Sequence, residues 1–206
     1  MAGYIGAALT IPSATSKIQL MQLRSIFTEL GIETFVRTDI TCTNRQDLLR
    51  QLRRSRTLSD VLAVKCTNHA VGLVAARDRR VDMIFFDPAK RNVWFDHAIA
   101  NVARAALEVN LSAVISNTLY LGKITKEINT ARDHHVGIIL SSGSISPALI
   151  RTPEQMAALG VLLGLSKDQA RNALSSLPWS ILQQNRDRQS NQYIEEGVKV
   201  VRSVNS

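Results

Sequence analysis

The stretch that decides the fold is Arg80–Ser116, RVDMIFFDPAKRNVWFDHAIANVARAALEVNLSAVIS, near the middle of the 206-residue chain. It contains two short apolar runs, Met83–Phe86 and Leu107–Asn110, each flanked by polar or turn residues. Runs of this length are too short for a core helix and are typical of buried parallel strands. Between them, apolar residues recur at the spacing of one helical face: Phe95, Ile99, Val102 and Ala106. The stretch therefore predicts a strand, a helix and a parallel strand.

The same alternation extends over most of the chain and predicts a parallel α/β fold. Further strands are expected at Tyr4–Ile11, Glu33–Thr38, Asp60–Lys65 and Gly137–Leu140. Further helices are expected at Lys17–Leu30, Thr43–Arg53, Asn68–Ala76 and Asn117–His134, from Thr152, from Ser166, and at Trp179–Gln184. The pattern leaves open whether the sheet closes, since a complete eightfold barrel usually needs ~250 residues. We expect one α/β barrel domain over residues 1–184 and a polar C-terminal tail over 185–206.

The composition indicates a basic protein without a membrane anchor. Twenty-five Lys and Arg residues against seventeen Asp and Glu give a net charge of +8. This charge favours a polyanionic partner such as nucleic acid, although a protein can also be basic without such a partner. Two distant cysteines, Cys42 and Cys66, suggest a reduced compartment and small buried packing residues. With no signal peptide or membrane-length apolar run in the sequence, we predict a cytoplasmic location.

Motifs for catalysis are not found in the sequence. The four histidines form neither an H-x-H nor an H-E-x-x-H pair, and no P-loop, G-x-S-x-G or G-x-G-x-x-G motif is present. Glu108 is expected to point inward from its strand, but the sequence shows no partner for it. The loop Ser141–Ser144 either binds a phosphate through its backbone N–H groups or forms a plain turn.

Basic residues are the more informative feature, because guanidinium groups match phosphate oxygens in pairs. They occur in clusters at Arg45–Arg56, at Arg77–Arg80, at Lys90–Arg91 and at Arg151. Arg151 directly precedes the predicted helix cap Thr152, where backbone N–H groups favour an anion. A solvated face is the commoner explanation of any single cluster, but several clusters on a chain of this charge, without a catalytic motif, favour RNA or DNA. Since aromatic residues make up only 5% of the chain, backbone-directed contact with a structured RNA is expected rather than base stacking.

A series of short motifs from about residue 80 to 182 resembles a known family. They are Val81–Ile84, Phe95–His97, Leu107–Ser112, Ile138–Ser142, Ile150–Pro153 and Ala158–Leu165. In this order and spacing they are similar to protein component 3 of ribonuclease P, the archaeal counterpart of the eukaryotic thirty-kilodalton subunit. The first 79 residues share only the general alternation of strands and helices.

The resemblance implies a TIM-like (β/α) barrel related to the polymerase-and-histidinol-phosphatase metal hydrolases, without their metal ligands. It also implies a subunit of the ribonucleoprotein that removes the 5′ leader from precursor tRNA. There the RNA subunit and its bound magnesium are the catalyst, and this chain would bind no cofactor itself. Its expected partners are ribonuclease P RNA, the component 2 protein and the other protein subunits, with precursor tRNA as the substrate of the complex.

The resemblance also selects residues for RNA contact. Carried over by position, the candidates are Lys90, Arg91, His97 and Arg151, followed by Arg77 and Arg80. The role of Arg45–Arg56 rests on charge alone. Two other functions are weighed against this one: a metal-dependent phosphoesterase of the related barrel superfamily, and a scaffold held only by a protein partner.

Overall fold

The structure is a computed structural model, which describes residues 37–143 and 151–190. It also describes short segments near the two ends: 4–5, 25, 28–29, 32–33, 193–195 and 198–199. Among these, β1 (Tyr4–Ile5) pairs in parallel with β2 (Ile32–Glu33). Most of the predicted helix Lys17–Leu30, most of the predicted strand Tyr4–Ile11 and the end of the Ser141–Ser144 loop lie outside the described residues.

The central element is a parallel sheet of five strands that are neighbours in chain order. The strands are β3 (Arg37–Cys42), β4 (Val61–Cys66), β5 (Met83–Phe86), β6 (Ala106–Asn110) and β7 (Ile138–Ser141). The connections between them carry α1 (Arg45–Ser55), α2 (His69–Arg77), α3 (His97–Val102), α4 (Leu111–Ser116), a 3-10 turn (Thr118–Tyr120) and α5 (Leu121–Asp133). Because every crossover advances by one strand and such crossovers are right-handed, these helices cover one face of the sheet.

A single row of aliphatic residues crosses the helix-covered face. Ile40, Val64, Ile84, Leu107 and Ile138 lie opposite one another on successive strands. All five are at most 9% exposed and belong to the main core cluster. The register of the sheet is therefore fixed by burial, since a slip of one residue would turn this row away from the helices.

The other face of the sheet holds a smaller core at the beginning of the strands. Val61, Met83 and Ile139 pack there against Leu182. Leu182 belongs to α8 (Ser176–Gln189), which follows α6 (Pro153–Leu162) and α7 (Lys167–Asn172). Helix α8 thus closes the face that the connecting helices leave open, at the end where the strands start.

The same face carries an ion pair that spans the sheet from Arg37, the first residue of β3, to Glu108 in the middle of β6. Arg37 on β3 donates two hydrogen bonds to the Glu108 carboxylate on β6, at 2.6 and 2.7 Å. In a flat sheet three strand spacings put these strands about 14 Å apart, too far for this contact. The sheet must therefore curl around the pair, as in the predicted barrel, and Arg37 is the partner of Glu108 that the sequence did not reveal.

The decisive stretch contains a shorter helix than predicted. Asp96 caps α3 by accepting from the backbone N–H of Ile99 at 2.9 Å, so Phe95 precedes the helix, although it is buried. At the other end, the backbone N–H groups of residues 104 and 105 both donate to the Ala76 carbonyl, which draws the chain away from helical geometry. Ala106 consequently opens β6 instead of ending the helix, and Val102 is 38% exposed. The predicted inward position of Val102 and Ala106 on one helical face is wrong.

Side-chain capping explains two further corrections near the strand ends. Asn44, rather than Thr43, caps α1 by accepting from the N–H of Asp47 at 2.8 Å. Asn110 ends β6 and caps α4, a helix that the sequence patterns did not predict. Its Oδ1 accepts from the N–H groups of Ser112 and Ala113. A strand is also displaced, since β3 occupies 37–42 where Glu33–Thr38 was expected.

Two capping boxes are confirmed in the C-terminal part. Thr152 and Gln155 cap α6 reciprocally, and Ser166 caps α7 in the same way. Between these helices Gly164 has a φ of 102°, the left-handed conformation expected where the first helix stops.

The predicted end of the domain at residue 184 falls inside α8. Pro178 lies in the first turn of this helix, where its missing N–H needs no helical partner, so the helix is longer than Trp179–Gln184. Asn185, the predicted first residue of the tail, is buried and donates to the Asp60 carbonyl at 2.9 Å. The polar pattern of this segment reflects hydrogen bonds to the barrel, which a hydropathy pattern does not register. Further on, β8 (Tyr193–Glu195) and β9 (Val198–Lys199) form an antiparallel pair.

Among the described residues, no helix combines the length and the apolar character needed to cross a membrane.

Candidate nucleic-acid interface

A cleft of about 690 Å³ lies between the segment that follows β5 and helix α5. We call it the Trp94 cleft and define it by six of its lining residues: Arg91, Trp94, His97, Lys126, Glu127 and Asp133. Trp94 is 46% exposed, so much of its ring is accessible to solvent. The cleft therefore presents an aromatic surface beside the cations Arg91 and Lys126, with the exposed acid Asp133 also in its lining.

The segment on one side of the cleft is held in place by Lys123 of α5. Its ammonium group donates to the backbone carbonyls of Lys90 and Val93, the latter at 3.0 Å. Val93 and Phe95 are buried at 2% and 1% exposure, so the two neighbours of Trp94 anchor the backbone in the core. Trp94 is held at the surface by this alternation and needs little ordering on binding a ligand.

The beginning of the same segment is fixed by Asp87. This carboxylate accepts from the N–H of Ala89 at 3.1 Å and from Lys65 at 3.2 Å. Burial opposes ionisation of Asp87, but these hydrogen bonds and the charges of Lys65 and Lys90 outweigh it and lower its pKa. Asp87 thus stays ionised and acts as a backbone anchor within a basic segment.

The charges around the cleft are unequal in their availability. Arg91 and Lys126 are exposed, and neither has an acidic partner among the residues described. Glu127, in contrast, is 7% exposed and accepts a long hydrogen bond of 3.4 Å from the Phe95 N–H. Burial raises the pKa of Glu127 to about 7, although Lys123 and the Phe95 N–H act in the opposite direction. At neutral pH the cations at the rim therefore face a carboxyl group that is only partly ionised.

His97 connects the two sides of the cleft. Its Nδ1 lies 2.8 Å from Nε2 of His134, which follows the last residue of α5. One of the two nitrogens must carry the hydrogen of this bond. The pair is therefore held by a single hydrogen bond, formed either between two neutral rings or between one charged and one neutral ring. A third histidine, His69, contacts the helix cap Asp96 at 2.9 Å. The structure thus gives His97 a partner within the fold while it also lines the cleft.

The predicted RNA-contact residues fall into separate places. Arg91 and His97 line the Trp94 cleft, and Lys90 is exposed on the same segment. Arg151 is half-buried directly before the cap of α6. The fold therefore brings Lys90, Arg91 and His97 into one region, and their contact with RNA stays a prediction.

Arg77 and Arg80 lie at the opposite end of β5, before the strand begins. Arg77 is exposed in the last turn of α2. Arg80 is bound by Asp78 through two side-chain hydrogen bonds of 2.9 and 2.6 Å. The hydrogen bond from Arg80 is the main reason that the pKa of Asp78 is lowered. Arg80 therefore has a structural partner, whereas Arg77 occupies the position where a cation complements the helix dipole.

The sequence did not single out the other four defining residues of the cleft: Trp94, Lys126, Glu127 and Asp133. Because aromatic residues make up only 5% of the chain, base stacking was not expected and Trp94 received no role. A usable signal was its position between Val93 and Phe95 in an otherwise polar segment, where alternation places one apolar residue of three at the surface. Lys126 and Glu127 belong to a helix whose neighbours only the tertiary structure reveals.

The rival function, a metal-dependent phosphoesterase, would need a group of side chains able to hold a metal ion. Within the described ranges, no group of three or more His, Cys, Asp or Glu side chains is arranged to hold a metal ion. Glu108 is the inward carboxylate of the sheet, and both its oxygens accept from Arg37. Burial alone would lower the pKa of Arg37, but Glu108 and then Asp39 outweigh it and raise that pKa. Both oxygens of this carboxylate are therefore occupied by Arg37 and are not available to a metal ion.

Comparison with known proteins decides the family. The family model described as RNase P subunit p30 matches residues 2–190. The chain belongs to this p30 family. The resemblance to ribonuclease P protein component 3 noted above is thereby confirmed, together with the α/β, TIM-like barrel class and the assignment as a protein subunit of the endoribonuclease.

Curated relatives and a solved structure agree with this assignment. Ribonuclease P protein component 3 of Methanosarcina acetivorans is 27% identical over 180 residues, covering 83% of the p30 chain and 74% of the relative. The protein of the same name from Methanothermobacter thermautotrophicus is 26% identical over 211 residues, covering 97% and 85% of the two chains. A chain in a cryo-EM structure of archaeal ribonuclease P with mature tRNA has a TM-score of 0.74 at 15% identity, covering 95% of the p30 chain and 87% of that chain. At that identity the structural match demonstrates the shared fold.

Proposed function

We propose that the p30 chain binds the RNA subunit of ribonuclease P and supports the magnesium-dependent removal of the 5′ leader from precursor tRNA. Catalysis belongs to the RNA and its magnesium, and this chain supplies positive charge that reduces the repulsion between closely packed phosphates. Its expected protein partner is component 2, and we expect the assembled complex to act in the cytoplasm. The observation that carries the proposal is the Trp94 cleft, where cations without acidic partners border an exposed aromatic ring.

The geometry of the cleft suits a single-stranded or bulged RNA element. A phosphate group is expected near Arg91 and Lys126, because both are exposed and positively charged. An unpaired base would stack on Trp94, which modifies the initial expectation that stacking plays little part. The half-ionised Glu127 at the floor is able to donate or accept a hydrogen bond, as a base edge requires.

Reconstitution tests the function as a whole. The chain is added to its cognate RNA and component 2, and 5′ cleavage of precursor tRNA is measured as magnesium is lowered. We expect the chain to reduce the magnesium concentration needed for half-maximal cleavage. An unchanged magnesium dependence would contradict the proposal, and cleavage by the chain alone with manganese or zinc would favour the phosphoesterase instead.

The predicted contact residues are tested by salt dependence. The variant Lys90→Ala/Arg91→Ala/Arg151→Ala is expected to bind RNA more weakly and with a shallower dependence of log affinity on log salt. The control Lys167→Ala/Arg171→Ala removes exposed charges of α7, which lies outside the cleft. Wild-type affinity and slope for the triple variant would remove these residues from the interface. Equal effects of the control would show that net charge alone matters.

A further inference from the structure

A second cleft lies at the other end of β5, where the strands begin and α8 crosses them. Its volume is about 450 Å³. Its lining includes Ala106 and Ile181 of the smaller core together with three arginines: Arg79, Arg104 and Arg188. We call this site the arginine cleft. It shares none of its lining residues with the Trp94 cleft, and its three arginines are not among the predicted RNA contacts.

The three arginines come from three separate elements. Arg79 lies in the turn between α2 and β5, Arg104 in the turn between α3 and β6, and Arg188 in the last turn of α8. All three are exposed, and none has an acidic partner among the residues described. Three positive charges therefore line one concave surface, and no described acid binds them. Their mutual repulsion costs free energy unless an anion binds there.

Neighbouring arginines show that acids are available at this end of the barrel. Arg80 is bound by Asp78, and Arg56 donates to Asp82 at 2.7 Å. Arg79 is adjacent in sequence to the paired Arg80 and remains without an acid. The distinction separates arginines that hold the fold together from arginines that face the solvent in a cleft.

Asp82, the one acid among the described residues that line the arginine cleft, does not cancel its charge. Asp82 accepts from Arg56 and from the Leu62 N–H, both at 2.7 Å, and its side chain is 6% exposed. The negative charge of Asp82 is thus balanced by Arg56, which lies outside the cleft, and the electrostatic potential at the cleft surface is positive.

The backbone under two of the arginines is fixed. The Arg104 N–H donates to the Ala76 carbonyl at 2.7 Å. Around Arg79, the N–H groups of Arg80 and Val81 both donate to Asp78, each at 3.0 Å. A ligand therefore meets arginines whose main chain is already ordered, so binding loses little conformational entropy.

Helix α8 presents the rest of the cleft in a regular pattern. Ser180, Gln184 and Arg188 follow one another at intervals of four residues and all line the cleft. They form a polar row beside the apolar pair Leu177 and Ile181, which faces the strands. A cleft that combines apolar residues, a polar row and three arginines matches a sugar–phosphate backbone better than a small inorganic anion.

We propose that the arginine cleft binds the phosphodiester backbone of RNA, so that the p30 chain contacts RNA at both ends of β5. The choice of RNA as the polyanion rests on the proposed function above. Guanidinium groups recognise phosphate oxygens in pairs, and three of them suit consecutive phosphates of one strand. The chain then bridges two RNA segments, and the barrel sets the distance between them.

The test compares charge-matched variants in binding to ribonuclease P RNA, in the presence of component 2. The variant Arg79→Ala/Arg104→Ala/Arg188→Ala removes the cleft charges, and Arg45→Ala/Lys167→Ala/Arg171→Ala removes three exposed charges outside both clefts. The slope of log affinity against log salt should fall in magnitude by about 2.1 to 2.7 for the cleft variant, for three phosphates at about 0.7 to 0.9 each. Between 50 and 200 mM salt the wild type should then lose ~20- to 40-fold more affinity than the cleft variant.

The outcomes separate this inference from the function on which it rests. Failure of the wild type to bind RNA would contradict the proposed function itself. A cleft variant with the wild-type slope, or with the slope of the charge-matched control, would overturn the arginine cleft as an RNA site while leaving the function intact. Loss of binding to component 2 with an unchanged RNA slope would identify an acidic protein segment as the occupant, and would equally overturn it.

A conservative variant serves as the control for effects of the substitutions on folding. Arg79→Lys/Arg104→Lys/Arg188→Lys keeps the charge but loses the paired hydrogen bonds of the guanidinium group. It should retain the wild-type salt slope and bind more weakly than wild type at every salt concentration. Thermal unfolding of all variants should match the wild type, because the three side chains make no described contact with an acid. A lysine variant with the shallow slope of the alanine variant would contradict the charge-based argument.

Discussion

Arg37, inside the barrel, differs from the arginines of the two clefts in its exposure and in its acidic partners. Arg37 is 5% exposed, bound by Glu108 and Asp39, and lies with its guanidinium carbon 5.6 Å from the centre of the Phe85 ring. Arg91 and Arg104 are exposed, and no described acid binds them. The fold thus places one arginine in a buried ion pair and others at the surface without a described acid. The sequence alone does not distinguish these two roles.

The comparison predicts that the two groups respond to different measurements. A buried charge that loses its partner destabilises the fold, because the remaining charge cannot be hydrated. An exposed arginine without a partner contributes little to the folded state, but it contributes to RNA affinity and to its salt dependence. Variants of the interior should therefore change the free energy of unfolding, and variants of the clefts should change the salt slope.

The largest effect is expected for Arg37→Met. This variant leaves the Glu108 carboxylate buried without its cation, and it should lower the free energy of unfolding by about 3 to 5 kcal/mol. The double variant Arg37→Met/Glu108→Leu removes both charges and should recover most of the loss, since Asp39 is partly exposed and remains hydrated. Urea denaturation measures both. A double variant as unstable as the single one would show that the pair shapes the barrel in a way that apolar packing does not replace.

The second effect concerns Glu127, the buried acid of the Trp94 cleft. Burial raises its pKa from 4.5 to about 7, so the folded protein holds this proton more tightly than the unfolded chain does. The contribution of this group to the free energy of unfolding is therefore full below pH 4.5 and decreases as the pH rises to about 7. Glu127→Gln should match the wild type at pH 4 and exceed its stability at pH 8 by up to ~3 kcal/mol.

Denaturant titrations at several pH values measure this difference. Glu154→Gln removes an exposed acid in the first turn of α6 and is the control for the change in net charge. A difference between Glu127→Gln and wild type that does not change with pH would indicate that Glu127 acts through its shape or its hydrogen bond rather than its charge.

The sequence predicted the elements whose signals are local. The aliphatic strands, such as Met83–Phe86, and the capping boxes at Thr152 and Ser166 were recognised because their determinants lie within a few neighbouring residues. The helix after Phe95 was overextended because its end depends on the distant Ala76 carbonyl. The ion pair of Arg37 with Glu108 joins residues 71 positions apart and has no local signal at all.

The site residues show the same limit. Arg80 was grouped with Arg77 by charge, but its binding by Asp78 two residues earlier was readable from the sequence as a local acid–base pair. The convergence of Arg79, Arg104 and Arg188 was not readable, because three elements must fold before they share a surface. Charge counting thus predicted the class of partner, and only the fold distinguishes paired from available cations.

The third effect tests Trp94 as a stacking surface. Trp94→Ala should weaken RNA binding by about 1 to 3 kcal/mol without changing the salt slope, because the residue is uncharged. Trp179→Ala is the matched control, since Trp179 is also partly exposed, on α8, and lies outside both clefts. Binding titrations at two salt concentrations measure both quantities. Equal losses for the two tryptophan variants would attribute the effect to stability rather than to stacking.

The smallest effect is expected for Arg77, which lies between the two groups. It is exposed at the last residue of α2, where a cation complements the carbonyl end of the helix dipole. Arg77→Ala should lower the free energy of unfolding by about 0.3 to 1 kcal/mol at low ionic strength, and salt should screen this difference. Denaturation at low and high salt measures it. A loss that persists at high salt would mean that Arg77 packs through its aliphatic portion, and it would then belong with Arg37 rather than with the cleft arginines.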